Sequence, residues 1–230
     1  MEQQSQREYW NSRAASWGSY GEPLIPNSIE LEFQQRHLIE GGDTLILGAT
    51  PQLCALALET SSTVTAVDFA EEVIEALRID NVEYICQDWL TFLEENEVQY
   101  DNILTDGGLV CLQYPDTWQR ISTLIYSRLR PGGVFSPRVY LSTENSPKEH
   151  YDNPNLARFI PSIAGVDEHW MTQVKTNQSY QNYDVAYAFP PREAVLRTFG
   201  QFALKGEFIP TFEEGDRFVS FAFQRKAVEG

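Results

Sequence analysis

From residue 44 the chain keeps one rhythm: a short apolar run, a turn, then an amphipathic stretch. "TLILG" (44–48) predicts a buried strand and Pro51 to Glu59 a helix. "TVTAVD" (63–68), rich in β-branched residues, predicts a second strand, followed by a helix carrying Val73, Ile74 and Leu77. "NVEYICQD" (81–88) and "YDNILTD" (100–106) read as strands flanking a short helix, "WLTFLEEN". Pro115 to Arg130 forms a longer helix, stopped by "RPGG" ahead of a fifth strand, "VFSPRVYL" (134–141). Such alternation predicts a parallel sheet with helices on both faces.

The two flanks differ. Residues 3–17 suit a helix with Tyr9, Trp10, Ala14 and Trp17 on one face, broken by "WGSYGEPLIPNS". Asn27 or Ser28 then caps a second helix running to Glu40 and ended by Gly41–Gly42. Residues 1–42 thus make a helical cap. Residues 142–190 lack a sustained period and are crowded with Asn, Pro, Tyr, Ser and Gln, as expected of a lid or substrate-binding insertion. "PREAVLRTFGQFAL" restores a helix, with Pro191 near its start. "KGEFIPTF" and "DRFVSFAFQR", separated by "EEGD", predict an antiparallel hairpin. We read residues 1–230 as one domain.

In open parallel sheets ligands bind beyond the carboxyl ends of the strands, near the point where strand order reverses. The residues expected there are Gly48, Asp68, Asp88 and Asp106. Aspartate also caps helices, so any one of them has a structural reading of equal weight. Three in succession along one sheet edge favour a site.

These segments, "TLILGATP", "TAVDFAEEVIEAL", "YICQDWLTF", "YDNILTDGG" and "LRPGGVF", stand in order and at family-like spacing. Together they resemble the class I S-adenosylmethionine-dependent methyltransferases over residues 40–141, with the terminal hairpin resembling the family more loosely. The resemblance implies a three-layer α/β/α sandwich. Its sheet would be mostly parallel and seven-stranded, ending in an antiparallel hairpin of strands six and seven. It also implies S-adenosylmethionine as cofactor, with Asp68 accepting hydrogen bonds from the ribose hydroxyls and Phe69 packing on the adenine. Asp88 would accept from the adenine amino group, with Trp89 beside it as backbone contact or stacking surface. Asp106 would lie nearest the methyl group, and Gly107–Gly108 would allow close approach to the backbone.

The turn after the first strand departs from the family pattern of an acidic residue followed by G-x-G-x-G. Ile46 stands at the acidic position, and Gly48 is followed by Ala49, Thr50, Pro51 and Gln52. Thr50 suits an N-cap and Pro51 the first helical position. The positive helix end would still face the crevice and could receive a carboxylate. This reads as a rebuilt cofactor turn, and Gly48, Ala49 and Thr50 join the candidate set. Trp17 and Tyr20 could close over the site and Arg13 could reach a carboxylate; alternatively Trp10 and Trp17 bury their rings against the helices. In the insertion, Tyr151, His169, Trp170, Tyr180 and Tyr183 are candidate substrate contacts, His169 also a candidate general base.

Charge narrows the partners. Among 230 residues, 33 acidic side chains face 17 basic ones, for a net charge of −16. Such a surface repels phosphate backbones and anionic lipids, so neither nucleic acid nor membrane is an expected partner. "TDGGL" follows the fourth strand where nucleic-acid base methyltransferases carry an Asp/Asn-Pro-Pro-aromatic motif. Cys54, Cys86 and Cys111 sit apart in apolar segments and are expected to be buried free thiols in a reducing cytoplasm. His37, His150 and His169 show no metal-ligand spacing, and no metal is expected.

The resulting expectation is methyl transfer to a small-molecule acceptor, achieved mainly by proximity and orientation. No catalytic side chain is assigned. Two alternatives stay open: a methyltransferase-like scaffold that binds partners instead of cofactor, and a nicotinamide-dependent oxidoreductase. The latter needs the three glycines of G-x-G-x-x-G, where this turn has one.

Overall fold

The computed structural model describes residues 2–19, 25–141, 158–161, 171–175, 184–188, 190–210 and 218–227. Tyr20, Tyr151, His169, Trp170, Tyr180 and Tyr183 lie outside the described residues. Strands β1 (Asp43–Leu47), β2 (Thr63–Asp68), β3 (Glu83–Cys86), β4 (Tyr100–Asp106) and β5 (Leu129–Tyr140) pair in parallel in the order β3-β2-β1-β4-β5. Of the later strands, β6 (Arg158–Pro161), β7 (Met171–Lys175) and β8 (Asp184–Ala188) form a separate antiparallel sheet inside segment 142–190. The main sheet is completed by β9 (Ala203–Phe208) and β10 (Phe218–Gln224), with β10 antiparallel to both β5 and β9. The order β3-β2-β1-β4-β5-β10-β9 reverses between β1 and β4.

Alternating side chains along the strands build two separate cores, as the period-two geometry of a strand requires. Leu45, Leu47, Ile103, Phe135 and Val139 face one side, with Phe92 and Leu93 of α5 (Trp89–Glu95) and Trp118, Ile121 and Ile125 of α6 (Asp116–Arg128). Val195 of α7 (Arg192–Thr198) joins them. Ile46, Ala66 and Leu104 face the other side, under Leu53, Cys54 and Ala57 of α3 (Pro51–Thr60). Each fully buried Leu, Ile or Phe contributes about 1.5–3 kcal/mol relative to leaving it exposed. Trp118 keeps its indole N–H satisfied inside the core by donating to the Leu112 carbonyl at 3.1 Å.

Several elements end earlier than their sequence predicts. The N-terminal helix α1 (Glu2–Arg13) gives way to a 3-10 turn over Ala14–Ser19. Helix α2 (Ser28–Gln35) stops five residues short of Glu40. The side chain of Asn102 explains this: its Oδ1 accepts from the Ile39 amide at 2.8 Å and its Nδ2 donates to the Ile39 carbonyl at 3.1 Å, drawing the chain onto the sheet. Helix α7 stops at Thr198, because Phe199 and Phe202 pack around Phe135 and Phe223 and Ala203 enters β9. The "RPGG" turn lies within β5: pairing with β4 begins at Leu129 and resumes at Val134 after an irregularity. Gly133 is required there, since a β-carbon would stand 2.9 Å from the carbonyl oxygens of Arg130 and Asp101.

The cysteine expectation holds in part. All three thiols are free, but Cys86 at the end of edge strand β3 is exposed and Cys111 is half-buried; Cys54 alone is fully buried. Among the described residues no helix is long and apolar enough to cross a membrane, and no cluster of three or more His, Cys, Asp or Glu is arranged to hold a metal.

Candidate active site

The crevice forms where β1 and β4 part. Strand β1 ends at Leu47, and Gly48 follows with φ +114, a conformation that side-chain-bearing residues rarely adopt. Ala49 and Thr50 are buried and lead into α3 with Pro51 at its first position. Thr50 has the extended backbone of an N-cap, φ −65 and ψ 113, but its side chain makes no capping hydrogen bond. The expected hydroxyl cap is therefore absent; the residue-before-proline restriction and the proline ring set this helix start.

Asp68 ends β2 as expected. Its Oδ1 accepts from the Ala70 amide at 2.9 Å. Burial pushes its carboxyl up to about 6, while the backbone N–H groups of Ala70, Ala49 and Phe69 act in the opposite sense. Leu47 pairs with Val67, the Gly48 amide donates to the Val67 carbonyl at 2.8 Å, and Ala49 packs in one cluster with Ala70, so Asp68 stands beside the β1–α3 turn. Phe69 is half-buried next to it.

Asp88 and Trp89 take other positions than a strand end would give them. Strand β3 stops at Cys86, and Asp88 is the N-cap of α5, its Oδ1 accepting from the Leu90 and Thr91 amides, each at 3.1 Å. For this residue the capping role is present in full. Trp89 turns inward: its Nε1 donates to the Val67 carbonyl at 2.8 Å, beside the Gly48 amide, which donates to the same oxygen at 2.8 Å. The indole spans the crevice floor. A β-carbon on Gly48 would stand 3.6 Å from its Cζ2, and one on Gly108 only 2.1 Å from its Cη2. Gly107 takes the left-handed conformation, φ +66, that starts the turn Gly108–Cys111.

Asp106 ends β4 and carries a partner that sequence reading missed. Its Oδ1 accepts from Arg138 Nη1 at 2.9 Å, and Arg138 Nε donates to Glu30 Oε1 at 2.7 Å. The three side chains are 5%, 1% and 0% exposed, respectively for Asp106, Arg138 and Glu30. Glu30 also closes a capping box, its Oε2 accepting from the Asn27 amide at 2.9 Å while Asn27 Oδ1 accepts from the Glu30 amide at 3.0 Å. Phe218 lies under the guanidinium, 4.4 Å from ring centroid to Cζ. Burial raises the Asp106 carboxyl and Arg138 opposes it. For Arg138 burial acts downward, but Asp106 and Glu30 outweigh it and hold the guanidinium above its ordinary value. The available signal was a charged residue inside the apolar strand "VFSPRVYL"; Glu30 offered none, because its partner is 108 positions away.

The N-terminal segment reaches the site from above. Ala14 packs in one cluster with Ala49 and Ala70, and Trp10 packs against it. Trp17 stands against Trp10, ring centroids 5.9 Å apart, and its own turn lies along α4 (Glu71–Leu77). Gln6 Nε2 donates to the Cys111 carbonyl at 3.2 Å, and β8 runs beside both α1 and the Gly108–Cys111 turn. Arg13 lies over the ring of Tyr9, 5.3 Å from its centroid.

No protein-family model matches this chain, and no curated protein matches its sequence. Solved structures do match its fold. A 1,6-didemethyltoxoflavin-N1-methyltransferase from Burkholderia thailandensis, with its acceptor and S-adenosylhomocysteine bound, superposes with a TM-score of 0.65 at 17% identity. That match covers 96% of this chain and 88% of the other. DhpI in complex with S-adenosylhomocysteine gives 0.66 at 18% identity, covering 98% and 97%. The CcbJ methyltransferase of Streptomyces caelestis gives 0.68 at 14%, covering 94% and 96%. With its β3-β2-β1-β4-β5-β10-β9 sheet and antiparallel end hairpin, the chain has the class I methyltransferase fold.

Proposed function

We propose that this protein is an S-adenosylmethionine-dependent methyltransferase acting on a small-molecule acceptor. The observation that carries the reading is the placement of Asp68, next to Val67, beside the Gly48–Thr50 turn at the strand-order reversal, the position where a sheet of this kind holds a ligand. The residues present fit the cofactor. Asp68 has a half-buried carboxylate able to accept from two neighbouring hydroxyl groups. Phe69 and the Trp89 indole provide apolar surface, and Gly107, with nothing within 4 Å of where a β-carbon would stand, leaves the backbone open to close approach. Bound there, S-adenosylmethionine would supply a methyl group on a sulfonium centre, open to in-line displacement.

The chain's own contribution is orientation and exclusion of water. Asp68 fixes the sugar, Trp89 sets the floor, and the first turn of α3 receives negative charge. The 1–42 segment and the 142–190 segment serve as cover and acceptor-binding lid, and Trp17 closes the cofactor side. Two of the matched proteins carry S-adenosylhomocysteine, which supports the cofactor assignment. Asp88, held in its capping bonds, directs the Trp89 backbone toward the adenine edge. The net charge of −16 supports an acceptor other than nucleic acid or a membrane surface, and a cytoplasmic setting suits the free thiols.

One observation favours a second reading. A single glycine in the turn, with the Trp89 ring resting against it, narrows the crevice and suits a scaffold that has given up its cofactor. Calorimetric titration of S-adenosylhomocysteine into the wild-type protein and Asp68→Ala decides between them. Micromolar binding that disappears in the variant supports the methyltransferase. Equal binding in both overturns the Asp68 site, and absence of binding in wild type favours the scaffold.

A further inference from the structure

Helix α2 is seated on the sheet largely through polar side chains. Of its three buried residues, Glu30, Phe33 and Gln34, only Phe33 is apolar. Glu30 bonds to Arg138, and Gln34, one turn later, donates from Nε2 to the Ser136 carbonyl at 3.4 Å. Four helical residues advance about 6 Å and two strand residues about 6.6 Å, so α2 runs antiparallel to β5, with Glu30 at Arg138 and Gln34 at Ser136. Register puts Ser220 of β10 opposite Arg138. Its neighbours Val219 and Phe221 belong to the core on the other side of the sheet, so Ser220 faces α2. Ser220 is thus the diagonal neighbour of Ser136, about 7–8 Å away between α-carbons. Beside these two the floor is small: Ala222 follows on the same face of β10, and Gly206 of β9 pairs with it. Gln34 and Ser220 are both 0% exposed, yet Gln34 Oε1 and Ser220 Oγ have no hydrogen-bond partner among the described residues. The Ser136 hydroxyl does not supply one, since its proton goes to the Phe221 carbonyl at 2.9 Å. Two buried polar atoms over one floor of small residues share one remedy, a bridging solvent molecule.

We propose that an internal water-binding site lies between α2 and strands β5 and β10, where one water molecule donates to Gln34 Oε1 and exchanges a second hydrogen bond with Ser220 Oγ. The donor set suits water. An amide oxygen only accepts, a hydroxyl does either, and a water molecule satisfies both at once. Neither group is charged, and the nearby Glu30 and Arg138 are already paired with each other, so the site does not call for an ion. The water acts as a structural ligand of α2. It completes the seat of the helix that joins the N-terminal segment to the sheet and presents Glu30 to Arg138. This role is independent of the cofactor reading above.

A high-resolution crystal structure of the wild-type protein, with Ser220→Ala and Gln34→Leu alongside, tests the site. Wild type should show one solvent peak at about 2.5–3.0 Å from both Gln34 Oε1 and Ser220 Oγ. Each variant removes one of the two contacts and should lose that peak. In solution, magnetic relaxation dispersion of water counts the long-lived internal waters, and each variant should hold one fewer than wild type. A direct hydrogen bond between Gln34 and Ser220 in wild type, the absence of a solvent peak there, or an unchanged count in both variants overturns the proposal. The wild-type crystal structure decides by itself if a variant fails to fold.

Discussion

The Trp89 indole occupies the space that a β-carbon on Gly108 would need: the two would be 2.1 Å apart, against about 3.5–4.0 Å for favourable carbon contact. Trp89 cannot retreat freely, because its Nε1 is bonded to the Val67 carbonyl and its ring edge lies against Gly48. The end of β2, the start of the β1 turn and the exit of β4 are thereby tied to one ring.

Gly108→Ala should therefore destabilise the protein by about 1–3 kcal/mol, the range for overpacking a filled site. Intrinsic fluorescence should shift as the indole is displaced. In a Trp89→Ala background the same substitution should have little effect, and a double-mutant cycle by urea unfolding measures the difference. Additive losses would mean that Gly108 matters for a reason other than Trp89.

The two helix starts at the site should respond differently. Asp88→Ala removes two capping bonds and should lower stability by ~1 kcal/mol, with Asp88→Asn retaining most of it. Thr50→Val removes a hydroxyl that caps nothing, and its unfolding free energy should stay within about 0.5 kcal/mol of wild type. A loss near that of Asp88→Ala would show that Thr50 caps α3 in solution.

Asp68 should make cofactor affinity depend on pH. Burial raises its carboxyl in the folded state to about 6, above the ordinary 3.8. Between those values the folded state holds more protons than the unfolded state, so this group's contribution to stability falls as pH rises from 3.8 to 6 and is level above. Ribose hydroxyls donate best to the ionised form. S-adenosylhomocysteine should then bind more tightly as pH rises through 6 and level off by 7, with a proton released on binding below that plateau. Calorimetry in buffers of different ionisation enthalpy reads this directly, and Asp68→Asn should flatten the profile.

Arg138→Met should be strongly destabilising at pH 7, by about 3–5 kcal/mol, because it leaves the carboxylates of Glu30 and Asp106 buried without their cation. Lowering the pH should recover part of the loss as Asp106, whose carboxyl burial already raises, takes up a proton. Denaturant unfolding of both proteins at pH 7 and pH 5 checks the magnitude and the sign.

Period and punctuation along the sequence determined the architecture. β2 and β4 span the predicted residues, and Pro51 starts α3 as its ring dictates, because strand alternation and proline geometry are local properties. Asp68 was legible for the same reason, standing at a strand end a fixed distance from Gly48. Element ends were less legible. Helix α2 stops early because Asn102 captures Ile39 from another strand, and no local rule contains that contact.

Only the tertiary structure decided what the other candidates do. Asp88 and Asp106 look alike in sequence, yet one caps a helix and the other joins a buried ion pair; the difference lies in Arg138, 32 residues from Asp106 along the chain. Trp89 belongs to the crevice because the sheet order brings Val67, Gly48 and Gly108 around it. A sequence states which groups carry charge and which segments repeat at helix or strand period. Which charges meet follows from packing distant segments together, since burial is what makes an unpaired charge costly.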